Sequence, residues 1–87
     1  MSKYFIEFTP AAARQLRKLS RDVQTRIARI IESLGDNPFP SGFKKLVGYK
    51  DLYRIRSGDY RVVYQYTAGK LLILIVRLGH RKEIYDF

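Results

Sequence analysis

The 87-residue chain contains no cysteine, which excludes disulfide bonds, thiolate catalysis and cysteine-based metal sites. Acidic residues are scarce, since 8 Asp and Glu stand against 17 Lys and Arg and leave a formal net charge of +9. With one histidine and few carboxylates, no cluster with metal-ligand spacing is visible. We therefore expect neither a bound metal nor another cofactor.

Long hydrophobic runs are also missing. The apolar run LLILIV, from Leu71 to Val76, is far too short to span a membrane. The N-terminal segment carries Glu7 inside its short apolar run and lacks a cleavage site of small residues, so we expect no signal peptide. No segment has the wide basic face opposite large apolar anchors that is typical of membrane-surface helices. The prediction is a cytoplasmic protein without membrane contact.

Positive charge is abundant and is distributed along the chain instead of being collected in a tail. Such a field attracts polyanions, so nucleic acid and acidic proteins are the partner classes that it favours. The length predicts a single domain, residues 1–87, with a core thin enough that a permanent partner would add useful stability.

The first half of the chain has the pattern of a strand followed by two helices. Alternation predicts a strand from Lys3 to Phe8, and Thr9 followed by Pro10 is typical of a helix start. Ser20 is the predicted N-cap of a second helix, which Gly35 ends. Helical spacing predicts that these helices bury Ala13, Leu16, Leu19, Val23, Ile27, Ile30, Ile31 and Leu34.

After Lys44 the hydrophobic period changes to two, which predicts strands at Leu52–Arg56, Tyr60–Tyr66 and Leu71–Leu78. The last of these is apolar on both faces, so we expect it to be central and covered on both sides. The element order predicts an α+β fold. An N-terminal strand and a two-helix hairpin would pack with a four-stranded, mainly antiparallel sheet, leaving the other sheet face partly open.

Charged residues surround the predicted Ser-Gly-Asp turn. Period two places Arg54 and Arg56 on one strand face, and Arg61 follows directly after the turn. One such arginine is most simply an edge-strand charge that blocks aggregation, whereas three at one turn favour an anion site. His80, Arg81 and Tyr85 follow the last strand and could return to the same place, although a surface histidine and a terminal core tyrosine are the simpler alternatives. Cations for a phosphate and an aromatic face for a base are what single-stranded RNA recognition needs.

The pattern KKLVGYKDLYRIRSGDYRVVYQY…LIVRLGHRKEIY resembles the RelE branch of the RelE/ParE toxin superfamily. The resemblance implies a microbial-RNase-like fold and the toxin of a type II toxin–antitoxin pair. It also implies an endoribonuclease that enters the ribosomal A site beside 16S rRNA and cuts mRNA there without a metal. The implied partners are the ribosome, mRNA and a cognate antitoxin, which we expect to be encoded by the adjacent gene.

The resemblance also implies roles for individual residues. The implied catalytic set is Arg56, Arg61, His80, Arg81 and Tyr85, with Tyr85 stacking on a base, and the implied RNA-binding set is Arg54, Lys45, Lys50 and Lys82. Many relatives have lysine where this chain has Arg54 and Arg56, and arginine is a poor proton acceptor. Either the ribosome aligns the 2′-hydroxyl with little help from a base, or His80 takes part, because histidine ordinarily changes charge near neutral pH. The sequence leaves open whether His80 or Arg81 protonates the leaving oxygen.

Two other functions compete with the nuclease. One is a ParE-like toxin that inhibits DNA gyrase with the same fold and no nuclease site. ParE-like chains generally lack the combination of Arg81 and Tyr85, which favours the nuclease. The other is a basic nucleic-acid-binding module without catalysis, whose affinity would fall with salt and which would yield no cleaved product.

Overall fold

The computed structural model describes residues 3–84. Its elements are β1 (Phe5–Phe8), α1 (Pro10–Arg17), α2 (Arg21–Leu34), β2 (Lys44–Lys45), β3 (Leu52–Ser57), β4 (Tyr60–Tyr66), β5 (Leu72–His80) and α3 (Arg81–Ile84). The strands form one sheet in the order β1-β5-β4-β3-β2, in which β1 and β5 are parallel and the other neighbours antiparallel. The predicted α+β class is confirmed, with a five-stranded sheet instead of a four-stranded one.

The structure corrects several predicted boundaries. The first strand begins at Phe5 because the backbone N–H groups of Lys3 and Tyr4 both donate to the carbonyl oxygen of Gly35, at 2.8 and 3.0 Å. β2 is the additional strand, and its two residues are too short to show a period. β5 continues to His80, and the pattern did not predict the four-residue α3 that follows.

The two predicted helix starts differ in how they are capped. The Thr9 side-chain oxygen accepts a hydrogen bond from the Ala12 N–H at 3.0 Å, and its hydroxyl donates to the Val76 carbonyl at 2.8 Å. Thr9 therefore caps α1 and attaches it to β5. Ser20 occupies the N-cap position of α2 with extended backbone, but its side chain makes no capping hydrogen bond.

The core lies between the two long helices and one face of the sheet, which we call the helix face. From α1 it takes Ala12 instead of the predicted Ala13, because Ala12 is in line with Leu16 and Leu19 at i, i+4 and i+7. Leu16 and Leu19 pack at its margin, as do Val23 and Ile30 of α2. The remaining buried members of this cluster are Ile27, Ile31, Leu34, Ile55, Val62, Tyr64, Ile73, Ile75 and Leu78.

A bulge in β5 changes which side chains reach the helix face. Tyr64 is paired with Ile75 and Val63 with Arg77, so Val76 is an extra residue with no partner on β4. One extra residue inverts the alternation of everything that follows it. Leu78 therefore points into the core, where strict alternation after Ile75 would have placed Arg77.

The position of β5 differs from the prediction. It is interior but second from the edge, between β1 and β4, and the central strand is β4. On the helix face Ile73 and Ile75 are fully buried, whereas Leu72 and Leu74 on the opposite face are only partly buried. The described residues therefore cover the helix face of this strand fully and its opposite face only in part, which is less than the expected burial on both sides. Among residues 3–84, no helix is long and apolar enough to cross a membrane.

We predict that Thr9→Ala lowers the free energy of unfolding by about 2 kcal/mol, because a helix cap and a hydrogen bond to β5 are lost together. Ser20→Ala should cost less than about 0.5 kcal/mol, since no capping bond is present to lose. Thr9→Ser retains the hydroxyl and serves as the matched control. Urea denaturation followed by circular dichroism measures all three, and equal losses for Thr9→Ala and Ser20→Ala would contradict the assignment.

Candidate anion-binding site

Three arginines lie together on the sheet face opposite to the helix face. Arg56 on β3 is directly across from Arg61 on β4, and Arg54 lies two residues before Arg56 on the same strand. Directly paired residues, and residues two apart on one strand, point to the same side of a sheet. We call this side the arginine face. The predicted clustering of these residues at the turn is what the register shows.

Arg61 carries a side-chain donor that is shielded from solvent. Its side-chain Nε is buried and has no hydrogen-bond partner among the described residues. Its neighbour on β5 is Gly79, which is buried and offers no side chain to occupy the space across from Arg61. A buried donor without a partner is uncommon in folded proteins and costs free energy. Such a donor is suited to an anionic oxygen supplied by a ligand.

The three guanidinium groups repel one another. Burial lowers the pKa of Arg54, and the charges of Arg56 and then Arg61 lower it further. Within residues 3–84, the ion pairs of the structure include none between an acidic side chain and these three arginines. The cluster is thus a concentration of positive charge held on paired strands.

Two further cations share the arginine face, and neither was predicted from the sequence. Lys44 on β2 is paired with Arg54, and Arg77 on β5 is paired with Val63, which is itself opposite Arg54. The two-residue β2 gave no periodic signal for Lys44, and the bulge at Val76 hid the direction of Arg77. The adjacent lysines Lys44 and Lys45, just before the hydrophobic period changes, were the only sequence feature that pointed to β2.

The turn between β3 and β4 has a cation from the helix layer beside it. A guanidinium nitrogen of Arg26, on α2, lies 3.8 Å from the point where a Cβ at Gly58 would be. Arg26 was not predicted as a site residue. Its position makes the end of the sheet positive on both sides of the turn.

Other predicted RNA-binding residues lie apart from the cluster. Lys45 is paired with Tyr53, so it points to the helix-face side of the sheet, unlike its neighbour Lys44. Lys50 lies in the turn before β3, at the end of that strand farthest from the β3–β4 turn. Lys82 is exposed on α3.

The C-terminal residues are divided between the two sides. The Arg81 N–H donates to the Asp59 carbonyl oxygen at 2.7 Å, and Arg81 Nε lies 3.9 Å from Asp59 Oδ1, which places Arg81 beside the β3–β4 turn. His80 is paired with Tyr60 and packs edge to face on its ring, on the helix-face side. The structure therefore brings Arg81 to the turn and separates His80 from the three arginines. Tyr85 lies outside the described residues.

No group of three or more His, Cys, Asp or Glu side chains in the described part of the chain is placed to hold a metal ion.

Known proteins are similar to this chain in sequence and in fold. The family model for the ParE toxin of type II toxin–antitoxin system, parDE, matches residues 6–85. The chain is 31% identical to the mRNA interferase toxin RelE of Escherichia coli (strain K12), over 95% of this chain and 90% of that one. The crystal structure of the isolated E. coli RelE toxin superposes with a TM-score of 0.78 at 29% identity, covering 95% of this chain and 92% of that chain. The archaeal RelE–RelB complex from Pyrococcus horikoshii OT3 gives a TM-score of 0.79 at 30% identity, covering 91% and 96%.

The fold and these similarities define a toxin of a type II toxin–antitoxin system. The chain belongs to the RelE/ParE toxin superfamily, and within it the chain is RelE-like.

The crowding of charge on the arginine face generates a stability prediction. Arg56→Gln should raise the free energy of unfolding by about 0.5 kcal/mol at low salt, because a like charge directly opposite Arg61 is removed. The gain should shrink in 1 M salt, where the Debye length is about 3 Å. Lys70→Gln removes one exposed charge from a turn at the other end of β4 and should change stability little. Denaturation at both salt concentrations tests this, and a loss of stability in Arg56→Gln would contradict the repulsion.

Proposed function

We propose that this toxin is a metal-independent endoribonuclease that cleaves mRNA in the A site of the translating ribosome. The observation that carries the proposal is the arginine face, with three guanidinium groups around one turn and a buried Arg61 Nε that has no partner among the residues described by the structure. The 31% identity to a relative named as an mRNA interferase supports the same reaction.

The reaction follows from the ribose of the substrate itself. The 2′-oxygen forms a bond to the adjacent phosphorus while the bond from phosphorus to the 5′-oxygen breaks, which yields a 2′,3′-cyclic phosphate and a free 5′-hydroxyl. Negative charge grows on the non-bridging oxygens and on the leaving oxygen. Fixed cations in a partly desolvated site stabilise such charge without reorganising during the reaction.

Each arginine has a defined part in this scheme. Arg61 donates to a non-bridging oxygen, since its donor is already desolvated. Arg54 and Arg56 neutralise the phosphate from the neighbouring strand. Arg81, held at the turn by the Asp59 carbonyl, protonates the departing 5′-oxygen. Water takes the 2′ proton, because arginine is a poor base.

The other site residues act on the RNA around the scissile bond. Tyr85 stacks on a base. Lys45, Lys50 and Lys82 contact the RNA backbone of mRNA or 16S rRNA outside the cluster. His80 does not reach the scissile phosphate, because its side chain lies on the other side of the sheet.

We predict that Arg61→Ala stays folded and lowers the single-turnover rate on programmed ribosomes by about 10²–10³. Arg54→Ala and Arg56→Ala should each weaken cleavage. Lys70→Ala, which removes an exposed charge far from the turn, is the matched control. Mapping the 5′ ends of mRNA in a translating cell-free extract, with and without each variant, is a second measurement of the same cleavage. A folded Arg61→Ala protein that cleaves at the wild-type rate would remove the basis of the proposal.

The same assay tests the C-terminal residues. Tyr85→Ala should slow cleavage by roughly one to two orders of magnitude, because base stacking is worth about 1–3 kcal/mol. Tyr85→Phe should keep most activity, and Arg81→Ala should be slower than either because a charge facing the transition state is lost. If Tyr85→Ala and Arg81→Ala both cleave normally, the C-terminal residues have no part in the reaction.

A cognate antitoxin is the proposed protein partner. The net charge of +9 and the three clustered arginines favour an acidic chain, and the similar archaeal structure is a RelE–RelB complex. Co-expression with the product of the adjacent gene should give a stable complex without nuclease activity. Arg56→Glu should weaken that complex, whereas Lys70→Glu should not. A neighbouring gene product that neither binds nor neutralises the toxin would argue against this partner.

The second candidate is a gyrase inhibitor, which the description of the family model as a ParE toxin favours. It predicts inhibition of DNA supercoiling by the purified toxin and intact mRNA in the extract. Cleaved codons with unaffected supercoiling decide for the nuclease.

A further inference from the structure

A cavity of about 520 Å³ lies on the helix-face side of the sheet, at the end where the β3–β4 turn is found. It opens between the α1–α2 connection and the Tyr60–His80 pair of β4 and β5. Its volume is within the range of small-ligand sites. The adjacent pair along the same strands is Arg61 and Gly79, so the cavity and the arginine face occupy the two sides of one sheet end.

Two rings form an aromatic corner in the cavity wall. The ring centroids of Tyr60 and His80 are 5.5 Å apart and their planes cross at 80°. The Lys82 backbone N–H donates to His80 Nδ1 at 3.2 Å, so a neutral imidazole carries its proton on Nε2. The corner therefore offers an aromatic face together with a hydrogen-bond donor, which suits a planar heterocycle with acceptor atoms.

The opposite wall carries polar groups that suit an anion. Lys18 is exposed at the end of α1, and the Ser20 hydroxyl is not used to cap α2. Within residues 3–82, the side chains that line the cavity include no acidic one. Gln15 holds the walls together, because its side-chain oxygen accepts a hydrogen bond from the Leu78 N–H at 2.9 Å and so joins α1 to β5.

We propose that this cavity is a subsite for one nucleotide, with the base against Tyr60 and His80 and its phosphate on Lys18 and Ser20. As a substrate subsite it rests on the proposed nuclease function. An RNA strand whose scissile phosphate lies at Arg61 would pass around the β3–β4 turn and place a neighbouring nucleotide in the cavity. Arg26, beside Gly58 at that turn, lies along this route and supplies a cation for the intervening backbone.

Titration of the wild-type toxin with each ribonucleoside 5′-monophosphate, followed by NMR, tests the subsite without requiring cleavage. The amide signals of Leu78 to His80 and the ring signals of Tyr60 should shift and saturate. Lys18→Ala should weaken binding at least about fivefold, because a charge-assisted contact to the phosphate is lost. Arg17→Ala is the matched control, since it removes the preceding exposed charge of α1, which does not line the cavity, and affinity should stay within about twofold.

Three results would overturn the subsite. Binding of inorganic phosphate as tight as that of the nucleotides would exclude recognition of a base. Equal losses in Lys18→Ala and Arg17→Ala would show diffuse attraction to the basic helices. Shifts confined to the arginine face would place the nucleotide elsewhere. Saturable binding in the cavity by a toxin that leaves ribosomal mRNA intact would instead overturn the proposed function and retain the nucleotide site.

Discussion

The extra residue Val76 in β5 fixes the division of this small sheet into two chemically different faces. It allows Ile73, Ile75 and Leu78 all to enter the core, although the last two are three residues apart. The same inversion directs Arg77 and Gly79 to the arginine face. Because Val76 also gives its carbonyl to the Thr9 hydroxyl, the position of the bulge is tied to the start of α1. A shift of one residue here would exchange core and cationic side chains along the rest of the strand.

The arginine face illustrates a conflict between stability and function. Arg56 opposite Arg61 is an unfavourable cross-strand pair, and the buried Nε of Arg61, which finds no partner in the described part of the chain, carries a desolvation cost. Neither feature benefits the isolated fold. Both are explained if a phosphate of the substrate completes the site, because strands hold cations in position more rigidly than loops do. The hairpin is held on the other side by Ile55 and Val62, which lie in the core.

The end of the sheet near the β3–β4 turn brings together the residues of both proposed sites. Arg61 lies on the arginine face and Arg81 lies beside the turn, whereas Tyr60 and His80 line the cavity on the helix-face side of the sheet. The isolated E. coli RelE toxin has the same fold over 95% of this chain, so the framework that brings these positions together is also present in that relative. The proposed nucleotide site lies on the helix-face side of the sheet, which the proposed cleavage reaction does not use.

The sequence by itself determined the α+β class, the approximate extents of both long helices and of three strands, and the clustering of Arg54, Arg56 and Arg61. These depend on hydrophobic period and on residues close along the chain, which local patterns record. Only the tertiary structure decided on which side of the sheet Lys44, Arg77 and His80 lie. The direction of Lys44 is set by a strand of only two residues. The directions of Arg77 and His80 are set by the bulge at Val76, which inverts the alternation of the residues that follow it. Each is set by pairing between segments distant in sequence, and a register of that kind leaves no periodic trace in either segment alone.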